Sequence, residues 1–294
     1  MENFYKYRVA GHIFEIGLPD GFSREKYLSS YEPFLYEGTG EVLFSLKAEL
    51  KENLHSVSSG RLTECFNDEP PFLWLFEDGE YYFGFSYSRK HPDCILIPAD
   101  GFRKNVVYIT CRLADKVLEF AVSNAMMLLY ACNTIMYDTL LIHSSVTVHD
   151  GAAYSFLGKS GTGKSTHSRL WLQHIPGSYL LNDDNPVIRV VDGDVFVYGS
   201  PWSGKTPCYK NEVYPLGGIV RLVQAPSNRI SRLGLIQSYA SLLPSCSNIK
   251  WSRAHSDALH KTVESVVAKV PCWNLECLPD SDAAIICRDA VCVH

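Results

Sequence analysis

From residue 1 to about 112, apolar and polar positions alternate in short runs. YKYRVAGHIFEIGL, EVLFSL, PFLWLF, EYYFGFSY, CILIP and VVYITC are rich in aromatic and β-branched residues and are separated by Gly, Pro, Asp and Asn. That is the pattern of strands buried on one face. The Asp-Gly within EDGE predicts that Pro71–Tyr87 folds as a β-hairpin. At Leu113–Ile135 the period changes: apolar residues recur at three- and four-residue spacing, which predicts a helix with little polar face. Beyond it LLIHSSVTV, AAYSFLG, SYLLN, PVIRVV, DVFVYG and GGIVRLV read as strands, with CWNLECL as a terminal one. Helices are predicted over Lys164–Gln173, Leu235–Leu243 and His255–Val267. Alternation of strands and helices is the signature of an α/β fold. The change of pattern places a domain boundary near residue 112, dividing a β-rich N-terminal domain (1–112) from an α/β domain (113–294).

Composition narrows the partners. The 294 residues carry a net charge of −5 and have no Lys/Arg-dense stretch, so nucleic acid is not an expected partner. MENFYKYRVAGHIFEIG scatters charges through its apolar positions, unlike a signal peptide. The apolar stretch Val117–Cys132 is interrupted by Glu119, Ser123 and Asn124 and is expected to be too short for a membrane span. A cytoplasmic location without membrane contact is the expectation. The ten cysteines include no C-x-x-C pair, the nearest being Cys272/Cys277 and Cys287/Cys292. They read as small core hydrophobes.

One stretch carries explicit chemistry. Gly158-Lys-Ser-Gly-Thr-Gly163-Lys164-Ser165 fits G-x-x-x-x-G-K-[ST] without mismatch, after an apolar run and before a helical pattern. Glycines there let backbone N–H groups turn toward phosphate oxygens, and the following helix offers its free N–H groups and positive dipole end. Gly158, Ser160, Gly161, Thr162, Gly163, Lys164, Ser165 and Thr166 are thus the expected nucleotide contacts, with Lys164 on the β- and γ-phosphates and Ser165 on Mg²⁺. About twenty residues on, YLLNDDNPVI places Asp183 and Asp184 at the end of an apolar run. Two carboxylates there would divide the labour, one on Mg²⁺ and one taking the proton of an attacking hydroxyl; the sequence leaves open which does which, and a plain turn is the competing reading.

Upstream, His143 is read near the start of a strand, either packed or catalytic, and His149 as a turn residue beside Asp150-Gly151. Downstream, YGSPWSGKTPCYKN reads as a loop. Lys205, Lys210 and Trp202 make it a candidate substrate or lid loop, and Arg229 and Arg232 a candidate charge clamp.

HSS at His143–Ser145, GKSGTGKST at Gly158–Thr166 and NDD at Asn182–Asp184 together resemble, in order and spacing, the HPr kinase/phosphatase and phosphoenolpyruvate carboxykinase superfamily. The resemblance covers roughly residues 140–220. It implies a P-loop domain of that type, with ATP and Mg²⁺ held by Lys164 and Ser165. It also implies that His143 lies beside the metal or the transferred phosphate, and that Asp183 is the metal-binding or base position with Asp184 as its partner. The chain is shorter than a full carboxykinase, and the glycine-rich signature that follows the Asp pair in HPr kinases is replaced by GSPWSGK. The expected activity is therefore Mg²⁺-dependent transfer of the ATP γ-phosphate to a hydroxyl of a protein, peptide or small molecule. A non-catalytic ATP-binding regulatory module and a phosphatase acting on a phosphorylated partner are the alternatives. Homo-oligomerisation is a further possibility that the resemblance raises.

Overall fold

Two sheets, each with its own helices, give a mixed α/β protein. The computed structural model describes residues 3–54, 57, 61–66, 72–77, 81–88, 90–204, 206–247, 249 and 252–292. The chain divides into two compact units, Met1–Asn133 and Thr134–His294.

The first unit is an eight-stranded sheet in the order β1-β2-β3-β8-β7-β6-β5-β4. Its strands are β1 (Asn3–Val9), β2 (His12–Leu18), β3 (Val42–Lys51), β4 (Arg61–Phe66), β5 (Phe72–Glu77), β6 (Tyr81–Ser86), β7 (Cys94–Ala99) and β8 (Lys104–Thr110); a short helix α1 (Arg24–Tyr27) follows β2. The β2–β3 and β3–β8 pairings are parallel and the others antiparallel. The run YKYRVAGHIFEIGL is not one strand. Ala10 and Gly11, both with positive φ (47° and 84°), turn it into the β1–β2 hairpin, the backbone twist that two-residue hairpin loops need. β5 and β6 pair as the predicted hairpin, while its Asp-Gly turn lies outside the described residues.

Helix α2 (Ala114–Thr134) belongs with this sheet, so the units divide after Asn133 rather than near 112. Leu118, Ala121, Val122, Ala125, Met126, Leu129 and Tyr130 form its buried stripe, at the three/four spacing of one helix face. Tyr130 Oη donates to Val9 O (3.1 Å), its ring meets Phe14 edge-on, and Asn133 Nδ2 donates to Phe102 O (3.0 Å). With its flanking 3₁₀ turns the helix runs Cys111–Tyr137, which by length and composition alone is enough to cross a membrane, and half of its apolar window is buried in the protein. The expectation of a stretch too short to span is corrected to that extent: the helix continues past the polar interruptions, which fall along its length without ending it.

The second unit has nine strands: β9 (Thr139–Leu141), β10 (Ser145–His149), β11 (Ala152–Leu157), β12 (Tyr179–Asn182), β13 (Val187–Val191), β14 (Asp194–Tyr198), β15 (Val213–Gln224), β16 (Arg229–Arg232) and β17 (Cys272–Cys277). Its helices are α3 (Lys164–His174), α4 (Leu235–Leu242), α5 (Arg253–Lys269) and α6 (Ser281–Val291). The long β15 joins the sheet together. Its first residues pair antiparallel with β14, and its later ones run parallel between β11 and β17.

Alternation along the strands sends side chains to two cores. Tyr154, Phe156, Val220, Leu222, Trp273 and Leu275 meet Trp171 of α3 and Ala284, Cys287 and Val291 of α6. Ala153, Leu157, Ile219 and Cys272 face the opposite way, onto Leu242 of α4 and Leu259, Val263, Val266 and Val267 of α5. The sheet is thus covered on both faces, as parallel strands require. Helix α6 and strand β16 escape the sequence reading; α6 starts at Asp280, whose carboxylate accepts from Ala283 N (3.0 Å) as an N-cap.

Candidate functional site

The strand order β12-β10-β11-β15-β17 decides what surrounds the glycine loop. β11 runs parallel to β15 and β17, and antiparallel to β10, which is antiparallel to β12. The end of β11, the start of β10 and the end of β12 therefore lie together, as the pairs Ser145↔Phe156 and Val146↔Asn182 record. Residues 143–145, the loop after β11 and residues 182–184 converge there by topology. In open α/β sheets ligands bind beyond the carboxyl ends of parallel strands, and the loop leaves β11 at such an end.

The loop runs from Gly158 directly into α3. Gly161 and Gly163 have φ of 79° and 107°, conformations that side chains with a Cβ rarely adopt. Thr162 N donates to Lys159 O (3.1 Å) and His167 N to Gly163 O (2.8 Å), the latter opening the helix. Lys159, Ser160 and Gly161 are exposed at the tip, whereas Ser165 and Thr166 are half-buried on the first turn.

Lys164 is buried, and its ammonium donates to His143 Nε2 and Gly158 O, each at 3.0 Å, and more weakly to Lys159 O (3.4 Å). Because Lys⁺ can only donate, His143 accepts on Nε2 and carries its proton on Nδ1, which meets Asp184 Oδ1 at 2.9 Å. Three predicted residues thus form one chain, Lys164 to His143 to Asp184. Burial pushes the Lys164 ammonium below its usual pKa, and the nearby Asp184 and Asp183 carboxylates oppose that shift.

His143 stands two residues before the start of β10, near the start of a strand as expected, but the run around it is not one strand. LLIHSSVTV breaks at residues 142–144, between β9 and β10, and the break is pinned from several sides. Ile142 N donates to Pro186 O (3.2 Å), His143 N to Ser245 O (2.7 Å) and Ser144 N to Asp184 O (2.9 Å). His149 is the buried last residue of β10, while Asp150 and Gly151 make the turn.

Asp183 is almost fully buried, and its Oδ1 accepts from Ser145 Oγ (2.7 Å), which also shares a 2.5 Å hydrogen bond with Ser168 Oγ. Ser168 lies one helical turn beyond Lys164, so the same face of α3 serves both carboxylates. The neighbouring Asn182 is wholly buried and holds the pair in place. Its Nδ2 donates to Ser200 Oγ (3.1 Å) and Trp202 O (3.0 Å), and its Oδ1 accepts from Asp184 N (2.9 Å). Asn185 Nδ2 donates to Asp184 Oδ2 (2.7 Å). Ser145, Ser168, Asn182 and Ser200 are the members that residue-type reasoning passes over. Ser145 and Asn182 stand in the HSS and NDD motifs without an assigned role, and the spacing of four from Lys164 is the local signal for Ser168.

The loop after β14 lies against this network. Trp202 is buried at 2% exposure instead of facing a substrate. A Cβ on Gly199 would collide with Lys210 O, and one on Gly204 would come within 2.9 Å of Asp183 O. Glycine at these positions lets the loop lie directly on the carboxylate segment. Lys205 lies outside the described residues. The Lys210 ammonium sits over the Tyr179 ring at 4.3 Å. Arg229 and Arg232 are exposed on β16, with the Arg232 guanidinium 5.9 Å from the Trp273 ring centroid; among the described residues neither is hydrogen-bonded or ion-paired to the Lys164–His143–Asp184 chain. No cluster of three or more His, Cys, Asp or Glu suited to a metal occurs among the described residues.

No protein-family profile and no curated protein matches this chain. Among solved structures, the chain is similar to the HPr(Ser) kinase/phosphatase from Coxiella burnetii, with a TM-score of 0.31 and 10% identity over 51% of this chain and 93% of that one. That is a distant structural resemblance to half of the chain.

Proposed function

We propose that the second unit binds ATP with Mg²⁺ through the glycine loop and transfers the γ-phosphate to a hydroxyl of a protein, peptide or small molecule. The observation that carries this reading is the continuous hydrogen-bonded chain from Lys164 through His143 to Asp184, at the end of a loop with the full G-x-x-x-x-G-K-S spacing. Such a chain links a phosphate-binding cation to a carboxylate, the two groups that phosphoryl transfer needs near each other.

The Ser165 hydroxyl and the buried Asp183 carboxylate are hard oxygen donors of the kind that Mg²⁺ takes beside phosphate oxygens and water. The partner of Asp183 Oδ1 is a hydroxyl, not a cation, which suits a carboxylate that carries a metal. Both nitrogens of His143 are engaged, so His143 is assigned as the link that positions Lys164 and Asp184, outside the metal's donors. Bound Mg²⁺ would supply charge neutralisation on the phosphates.

Asp184 is the more exposed carboxylate and is held on both oxygens by His143 and Asn185. We assign it as the group that takes the acceptor's proton. The acceptor oxygen bonds to the γ-phosphorus while the bond from that phosphorus to the β–γ bridging oxygen breaks, its electron pair leaving with ADP. Lys164, freed of its loop carbonyls, would stay on the phosphates through the transfer.

The test is calorimetric titration with the β,γ-imido analogue of ATP, with and without Mg²⁺. Metal-dependent binding that Lys164→Ala abolishes is the expected result. Undiminished binding by Lys164→Ala, or none by the intact protein, would remove the reading.

A further inference from the structure

Lys164 and the groups joined to it or charged beside it, His143, Asp184 and Asp183, lie on the β10/β12 side of the loop. On the β15/β17 side the loop borders a half-open cavity of about 410 Å³, lined by α3 and the ends of β15 and β17. Leu170, Leu222, Ala225, Leu278 and Pro279 form its apolar walls, loop residues 161–163 form its rim, and no Asp, Glu, Lys or Arg lines it among the described residues. Gln224 Nε2 donates to Gly161 O (3.3 Å) and Thr162 O (3.4 Å), tying the cavity wall to the outer backbone of the loop. His167 lines the cavity from α3; its Nε2 accepts from Trp171 Nε1 (3.1 Å), and burial pushes its pKa down to about 4. This wall is therefore uncharged at neutral pH.

We propose that this cavity seats the base and ribose of a purine nucleoside triphosphate whose phosphates occupy the loop. The inference rests on the nucleotide reading above and adds a direction to it: the γ-phosphate faces Asp183 and Asp184, and the base lies against Leu170 and Leu278. Three observations carry it. The cavity is the size of small-molecule sites and is mostly apolar with a few polar groups, as a flat aromatic base requires. It shares residues 161–163 with the loop, so one extended ligand reaches both. Charge is partitioned across the loop, which leaves the polyphosphate one side and the neutral heterocycle the other, since burying a charge without a partner is strongly unfavourable. Gln224, already held at the rim, offers an amide for the polar edge of the base.

The decisive experiment compares two probes, the β,γ-imido analogue of ATP and inorganic tripolyphosphate, which has no base. Ala225→Trp fills the cavity, and Leu278→Asp, at a side chain 39% exposed, charges its wall with little demand on folding. Each should weaken the analogue by at least about tenfold while tripolyphosphate binds as it does to the wild type, which also reports an intact fold. Lys164→Ala should weaken both probes. If both cavity variants bind the analogue like wild type while Lys164→Ala loses it, the base lies elsewhere and only this inference falls. If Lys164→Ala changes neither probe, or the intact protein binds neither, the nucleotide reading fails and takes the inference with it.

Discussion

The two sides of the glycine loop are built on opposite principles. On the β10/β12 side, Asn182, Asp183 and Ser145 are buried polar groups, and each is hydrogen-bonded. On the β15/β17 side, Leu222 and Leu275 are buried in an apolar core that needs no partner atoms. A polar network in a low-dielectric interior is directional and fails badly when one member is lost, whereas an apolar wall tolerates changes of shape more evenly. The difference predicts that chemistry is sensitive to single atoms on one side and that ligand selection is sensitive to volume on the other.

The largest expected effect lies on the polar side. Asp184→Asn keeps the shape and one acceptor oxygen, enough for His143 or Asn185 but not for both, and cannot take a proton. Turnover should fall about a hundred- to ten-thousand-fold, while affinity for the β,γ-imido analogue stays near that of wild type. A variant with normal turnover would show that Asp184 is not the base and would return that role to Asp183.

The contrast between the sides was only half legible in the sequence. The loop could be read because its spacing is local: glycines, Lys164 and Ser165 fall within eight residues and a helix pattern follows. The carboxylate pair could be suspected because Asp183 and Asp184 end an apolar run. The break at residues 142–144 could not, since LLIHSSVTV keeps its strand-like character across it; what interrupts the strand is backbone bonding to Ser245, Pro186 and Asp184, tens of residues or more away in sequence. Trp202 misled for the opposite reason. An aromatic in a Gly/Pro/Ser-rich loop looks exposed, but glycines at 199 and 204 let that loop settle on the network and bury the ring. The apolar side left no motif at all, because Leu170 of α3, Leu222 of β15 and Leu278 in the loop after β17 meet only in the fold. Helix α2 was read correctly as a helix but assigned to the wrong unit, since its stripe says that it packs and not on which sheet.

A smaller effect separates stability from chemistry on the polar side. Asn182→Ala removes the acceptor of Asp184 N–H and the donor to Trp202 O and Ser200 Oγ. Leaving such buried groups unpaired should cost about 3 kcal/mol, read as a lower urea midpoint. An unchanged midpoint would mean that water replaces Asn182 and that the network is wetter than its burial implies.

The smallest effect belongs to the apolar side and is one of pH. The His167 ring is packed edge-on to Phe156 and is 2% exposed, and burial lowers its folded pKa from 6.5 to about 4. Between those values the unfolded chain binds a proton that the folded one refuses, so folding stability falls as pH falls through that window and is fully present above it. One pKa unit corresponds to about 1.4 kcal/mol, so between pH 7 and pH 5 the loss from this one residue should be about 2 kcal/mol. His167→Gln keeps an acceptor for Trp171 Nε1 and removes the titration. Urea denaturation of both proteins at both pH values isolates the effect, because every other titrating group cancels in the difference. A variant that loses as much stability on acidification as the wild type would mean that His167 is charged or solvated in the folded protein. The wall would then take up a proton just below neutral pH, and under mildly acid conditions the two sides of the loop would differ less than the fold implies.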